Sequence, residues 1–443
     1  MKNLTWQNPE QLFVAQELIN KVKSKCCGIK GQQYLDQLIA SQRNGLIKII
    51  TGIRRCGKSY LLFKLFHEYL NSQGISDDHI IEVALDDRTN KELRDPDNLL
   101  KYIKEQITDK NLYYIMLDEV QMVDEFTDVL NSLLHISNAD VYVTGSNSHF
   151  LSTDVVTEFR GRGDEIHLFP LSFSEYCEGY KGTTDNAWKD YYTYGGLPLI
   201  LTLDTDKKKE DYLNNLYKSV YLVDVLERHK VKNMGEFDEL LRIIASSIGA
   251  PCNPTKLANT FKSVKNVVIH HQTINKYLGF LEDAFLVEKS IRYNIKGKKY
   301  INTLAKYYFS DLGIRNALLG FRQQEETHIM ENIIYNELRT RGYHVDVGMV
   351  EVREPDKSGK LIRKQLEVDF VVNQGSQRYY IQSAFAMPTL EKEAQESASL
   401  LRIKDSFKKI IIVKDDIKPK RNEDGILTIG LKDFLLDKNS LNY

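Results

Sequence analysis

The residues Gly52-Ile53-Arg54-Arg55-Cys56-Gly57-Lys58-Ser59 have the types and spacing of a phosphate-binding loop. Glycines at both ends let the backbone curl, so that successive N–H groups and the start of the following helix face an anion. In that geometry Lys58 neutralises charge on the outer phosphates of a triphosphate, and the Ser59 hydroxyl ligates Mg²⁺. The candidate nucleotide-binding set is Gly52, Ile53, Arg54, Arg55, Cys56, Gly57, Lys58, Ser59 and Tyr60. Cys56 reads as a packed thiol, with sensitivity to thiol reagents as the alternative.

A second group follows where Tyr113-Tyr114-Ile115-Met116-Leu117 runs into Asp118-Glu119. Two acids at the end of an apolar strand are often only a turn or a helix cap. Downstream of a phosphate loop they read as a metal ligand and a base: Asp118 holding Mg²⁺ through water, Glu119 polarising the attacking water. Val141-Tyr142-Val143-Thr144 then leads to Gly145-Ser146-Asn147, which places Ser146 and Asn147 where a sensor of the terminal phosphate would sit, a plain turn being the alternative. In Phe159-Arg160-Gly161-Arg162-Gly163, Arg162, and after it Arg160, is a candidate arginine finger for a neighbouring subunit's nucleotide. The alternative there is a basic surface loop.

These groups need a scaffold that brings strand ends together. Apolar runs at 46–51, 80–85, 113–117, 141–144 and 166–169 alternate with helical segments, the pattern of a parallel sheet covered on both faces. Helical spacing at 10–43 predicts two helices before this core. The chain has 443 residues, so several domains are expected: N-terminal helices over 1–43, a P-loop core over 44–170, a helical lid over 171–245, a winged helix over 246–322 and a further α/β module over 323–443. The winged helix is read from helical stretches at 256–263 and 273–281 followed by a hairpin around Lys296-Gly297-Lys298. The last module is a helix at 329–339, strands at 345–352, 366–372 and 378–383, a helix at 390–401 and a final strand at 410–413.

A formal net charge of −1 excludes a global polyanion-binding field, so any nucleic-acid contact must be local. Residues 251–310 supply one, with ten cationic side chains, among them Lys256, Lys262, Arg292, Lys296, Lys299 and Lys306, against three acids. This patch suits DNA phosphates, unless the winged helix only packs on the core with its lysines solvated. Five scattered cysteines without paired spacing point to a reducing, cytoplasmic setting, and neither a signal peptide nor a membrane span is expected.

The chain resembles prokaryotic AAA-type ATPases that join a P-loop domain to a C-terminal domain of unknown function. The resemblance rests on residues 52–59, Leu-Asp-Glu-Val-Gln at 117–121, Thr-Gly-Ser-Asn-Ser at 144–148, Arg-Gly-Arg at 160–162, Pro-Leu-Ser-Phe-Ser-Glu-Tyr at 170–176 and Gly-Gly-Leu-Pro at 195–198. It implies ATP in preference to GTP, a winged-helix insert and a C-terminal module similar to restriction-type nucleases. Glu331, Glu337 and Asp369, with Gln382 and Ala384 on a later strand, fit the PD-(D/E)xK spacing. Active members carry an acid and a lysine at the positions of Gln382 and Ala384; a neutral amide is a poor ligand for a hard cation, and alanine carries no charge. The expectation is an ATP hydrolase, with Mg²⁺, whose turnover drives a conformational change and whose nuclease-like module does not cut. The competing readings are a slow nucleotide-gated switch and a metal-dependent nuclease. A homo-oligomer with the arginine finger in trans is the assembly that Arg162 would need.

Overall fold

The computed structural model describes residues 31–146, 161–265, 268–322, 325–355 and 361–443. The described residues divide into two compact units, one drawn from positions up to 171, 175–187 and 197–209, the other from 172–174, 188–196 and positions from 210 onwards. The helical stretch after residue 171 is shared between them.

The first unit is built on five strands, β1 (Ile47–Thr51), β2 (Ile80–Ala84), β3 (Tyr113–Asp118), β4 (Ala139–Thr144) and β5 (Gly163–His167), in the order β2-β3-β4-β1-β5. Every pairing is parallel. β1 and β3 are buried along their whole length, which is why both read as unbroken apolar runs. The strand expected at 166–169 begins earlier, at Gly163, because an edge strand with one side exposed needs no apolar residue at its first positions. Two helical stretches, Pro96–Gln106 and Phe126–Leu133, close one core through Leu99, Ile103, Val129, Leu130 and Leu133. The helix expected nearest the core over 10–43 is Gln32–Ala40; the other lies outside the described residues.

The second unit contains three helices, Met234–Ser246, Pro254–Lys265 and His271–Asp283, then the hairpin β6 (Val287–Asn294) and β7 (Lys299–Phe309). A bridge between Cys252 and Ala305 adds a third strand position, completing a winged-helix arrangement. Sequence periodicity stops there, but hydrogen bonding does not. β6 pairs in parallel with β8 (His344–Pro355), and the sheet continues through β9 (Leu361–Gln374), β10 (Gln377–Ala384), β11 (Lys408–Val413), β13 (Leu427–Gly430) and β12 (Lys420–Arg421). One eight-stranded sheet therefore crosses position 323, where the sequence pattern changes. The strand at 408–413 is also not the last: β12, β13 and the helix Leu431–Leu436 follow it, too short for their periodicity to stand out.

Gly195 shows what one motif does in this unit. With φ at +78° it occupies the left-handed region, and a Cβ there would lie 2.4 Å from the Asp311 carboxylate. That carboxylate accepts from Gly196 N at 2.8 Å and from Ile314 N at 3.1 Å, joining the Gly195-Gly196 turn to the start of the Leu312–Leu318 helix. Gly195 and Gly196 form a docking turn for that helix.

Candidate nucleotide site

β1 ends at Thr51, and the chain turns sharply at Gly52 (φ +139°), where a Cβ would sit 2.2 Å from the Leu168 carbonyl oxygen. Only glycine fits between β1 and β5 there. The loop ends at Gly57 (φ +111°), whose missing Cβ faces open space, and passes into one continuous helix made of Lys58–Tyr60, the π-helical Leu61–Phe66 and His67–Ser72. Leu61, Leu62, Phe66 and Leu70 bury this helix on the sheet.

Lys58 is 4% exposed, its ammonium donating to the carbonyls of Gly52 (2.9 Å) and Ile53 (3.2 Å). Ile53 and Cys56 are buried inside the loop, Arg54 and Tyr60 are half-buried, and Arg55 and Ser59 are exposed. Burial pushes the Cys56 thiol up, against the pull of Lys58, which leaves it protonated and inert.

Because β4 lies between β1 and β3, the ends of all three strands meet. Ser59 Oγ donates to Asp118 Oδ2 at 2.7 Å, and Thr144 Oγ1 donates to Asp118 Oδ1 while accepting from Glu119 N at 2.9 Å. Burial raises the Asp118 carboxyl above its ordinary range, and the Thr144 and Ser59 hydroxyls pull it back down. Glu119 follows in the left-handed region (φ 54°), a conformation that costs a non-glycine residue energy and turns its side chain off the strand. Its carboxylate accepts from Gln121 Nε2 and, at 3.0 Å, from Ser146 Oγ. Gln121 and Thr144 were missed as site residues in the sequence. Both lie within the motif strings, but only the strand order reveals what they touch.

Of the other sequence candidates, Ser146 joins the cluster and is 2% exposed. Asn147 and Arg160 lie outside the described residues. Arg162 is exposed and stands apart: its carbonyl accepts from Ile47 N at the start of β1, and its guanidinium reaches Asn131 at 3.3 Å. In a parallel sheet this is the edge opposite the phosphate loop, so Arg162 is remote from its own chain's site.

The C-terminal candidates are gathered differently from the expectation. Glu331 and Asp369 come together with Glu367 around the ammonium of Lys306, which lies 2.8 Å from Glu331, 2.8 Å from Glu367 and 3.6 Å from Asp369. The Lys306 side chain is 3% exposed. Burial alone would lower its pKa, but the three carboxylates outweigh burial and hold it above the usual lysine range. Burial also raises Asp369, against Lys306 and the Ser383 N–H that donates to it at 2.9 Å. Glu337 is not in this group and pairs instead with Arg341 at 2.7 Å. Gln382 keeps a buried Oε1 without a hydrogen-bond partner among the described residues, and Ala384 is 2% exposed in the apolar core. Among the described residues, no group of three or more acids, histidines or cysteines is arranged to hold a metal ion. The signal for Lys306 was its place among apolar and aromatic neighbours, Ala305, Tyr307, Tyr308 and Phe309. Within the basic stretch 251–310, Lys306 and Arg292 are buried and so are withdrawn from any surface patch.

Among the described residues no helix is long and apolar enough to cross a membrane. Residues 44–177 match a family model described as an AAA domain, and residues 185–325 one described as a domain of unknown function (DUF8612). An uncharacterized protein of Methanocaldococcus jannaschii is 29% identical over 378 residues, 81% of this chain and 79% of that protein. Among solved structures, the Aeropyrum pernix ORC2 protein in ADPNP–ADP complexes has a TM-score of 0.34 at 12% identity, over 68% of this chain and 94% of that one. An uncharacterized protein of Haemophilus influenzae is 33% identical over 414 residues, covering 92% of this chain and 98% of that protein. The chain belongs to one family with that protein, and over residues 44–177 it carries an ATP-binding AAA domain.

Proposed function

We propose that this chain is an ATP hydrolase whose turnover drives a conformational change. The observation that carries the reading is the meeting of Lys58, Ser59, Asp118 and Glu119 at the carboxyl ends of β1 and β3. The residues fit a magnesium nucleotide: Gly52 lets the loop turn off β1 against the Leu168 carbonyl, Gly57 keeps the space beside the loop open, and Ser59 and Asp118 offer the oxygen atoms that Mg²⁺ requires. Bound Mg²⁺ would draw charge from the phosphate oxygens as the terminal bond breaks. Lys58 would exchange its two carbonyl partners for phosphate oxygens, and Ser59 and Asp118 would hold the metal. Glu119 would take a proton from the water that attacks the terminal phosphorus, and Ser146 is placed to orient that carboxylate. Steady-state ATPase measurements on the wild type, Lys58→Ala and Glu119→Gln test this. Lys58→Ala is expected to lose nucleotide binding and Glu119→Gln to bind without turnover; equal rates for wild type and Glu119→Gln exclude the hydrolase.

A second reading, a nucleotide-gated switch with slow turnover, is favoured by one feature. The Glu119 carboxylate is tied to two donors, Gln121 and Ser146, and has to release one of these hydrogen bonds before it can take hold of an attacking water. The same rate measurement separates the two.

For residues 323–443 we infer a nuclease-like module without nuclease activity. Lys306 fills the space among Glu331, Glu367 and Asp369 that a metal would need, and Gln382 and Ala384 replace the remaining acid and lysine. Supercoiled plasmid incubated with Mg²⁺ or Mn²⁺ should stay intact; cutting that disappears in Asp369→Ala would exclude this reading.

A further inference from the structure

The β6–β7 turn and strands β8 and β9 line a groove of about 780 Å³ whose wall includes Lys296, Lys299, Tyr300, Glu351, Arg353 and Arg363. Lys296, Lys299, Arg353 and Arg363 are all exposed, and Glu351 is the one acid among the lining residues. Among the described residues none of the four cations is in an ion pair. Lys296 Nζ donates to the Glu351 carbonyl at 2.8 Å, fixing the β6–β7 turn against β8 and giving the groove a fixed wall.

Arg353 and Arg363 are direct cross-strand partners in the antiparallel β8–β9 pair. Side chains so paired point to the same side with their Cβ atoms about 5 Å apart, and like charges in that arrangement repel. The repulsion is relieved by an anion set between the guanidiniums, which bind oxyanions bidentately. Tyr300, 59% exposed and packed edge-on to Tyr293, adds an aromatic surface to the same groove. A strip of cations beside an exposed ring is the combination that binds phosphodiester chains by neutralising the backbone and stacking a base.

We propose that this groove binds single-stranded nucleic acid, with Arg353 and Arg363 on consecutive phosphates and Lys296 and Lys299 beside them. The contact surface is thereby the β6–β7 turn with the neighbouring strands β8 and β9, and not the helices of the winged helix. An acidic peptide offers carboxylates to the arginines but no base for Tyr300. The proposal goes beyond the ATPase reading and stands independently of it.

Fluorescence anisotropy of a labelled single-stranded 20-mer with the full chain, at low salt and without nucleotide, tests it. Arg353→Gln/Arg363→Gln should bind at least tenfold more weakly, and its slope of log affinity against log salt should be shallower by about 1.4, the value for two lost single-strand phosphate contacts. The variant should melt at the same or a higher temperature than the wild type, because it removes repulsion; that readout separates a lost contact from a lost fold. Lys256→Glu/Lys262→Glu, on the Pro254–Lys265 helix, should bind like the wild type. The proposal is overturned by absence of wild-type binding, by unchanged binding of the arginine variant, or by a loss confined to the helix variant. Polyglutamate competing as well as unlabelled oligonucleotide would reassign the groove to an acidic protein. None of these failures touches the ATPase reading, since the assay contains no nucleotide.

Discussion

Glu119 carries two kinds of constraint at once: a left-handed backbone that aims it and two hydrogen bonds that hold it. A base contributes about 10²–10⁴-fold to a rate, whereas a neighbour that only orients it contributes through that base and so contributes less. Glu119→Gln is therefore expected to lower kcat by about 10²-fold or more while keeping ATP affinity, and Gln121→Ala to change kcat by less than about tenfold. The comparison of kcat with KM for both variants checks the order; an equal collapse in Gln121→Ala would mean that Gln121 touches the reacting atoms. Lys306 is the other residue whose surroundings set a large effect. Replacing it by methionine leaves Glu331, Glu367 and Asp369 facing one another with no cation, and loss of one partner from a buried pair costs about 3–5 kcal/mol. Urea unfolding of Lys306→Met should show a loss of that size, and a loss below about 1 kcal/mol would mean that the carboxylates are solvated.

At the scale of elements, His67 ties the loop helix to its neighbours. Its Nδ1 is 2.6 Å from Glu82 on β2 and its Nε2 is 3.1 Å from Asp77 in the preceding turn. Partial burial would lower the imidazole pKa, but the hydrogen bonds to Glu82 and Asp77 outweigh it and raise it above the ordinary 6.5. A folded-state pKa above the unfolded one gives stabilisation that is complete below about pH 6.5 and fades as pH rises through the raised value. In the melting transition that magnesium ATP shifts, the difference between wild type and His67→Gln should be larger at pH 6 than at pH 9, by about 0.5–1 kcal/mol. A difference independent of pH would show that the imidazole carries no charge at pH 6.

The same elements show what could be read from sequence. Strands β1 and β3 were legible because burial on both faces makes continuous apolar runs, and the loop because its glycines take backbone angles that other residues rarely adopt. Strand order was not: nothing local says that β4 separates β1 from β3, so the contact of Thr144 with Asp118 was hidden. In the C-terminal unit the winged-helix elements were legible one by one. Their fusion into the longer sheet was not, because the β6–β8 pairing joins residues about fifty positions apart through backbone groups that every sequence possesses.

At the scale of the whole molecule, Arg162 can act as an arginine finger only under a requirement that one chain does not meet. It lies at the amino-terminal edge of the sheet, whereas the phosphate loop lies at the carboxyl edge of the same strands. A guanidinium there reaches a terminal phosphate only if a second copy is set head to tail against the first, the heterologous contact that generates rings. If Arg162 is such a finger, worth about 10³-fold in rate, Arg162→Ala should bind ATP and turn it over very slowly. Lys58→Ala is silent for the opposite reason, since it keeps its arginine but lacks a working loop. Mixed in equal amounts, the two silent variants should recover roughly a quarter of wild-type activity, because that share of loops in a randomly mixed head-to-tail assembly pairs an intact site with an intact arginine. The recovered rate should fall on dilution as the assembly dissociates. A mixture no more active than its parts, with Arg162→Ala alone as fast as wild type, would make Arg162 a surface residue and leave the chain to hydrolyse ATP by itself.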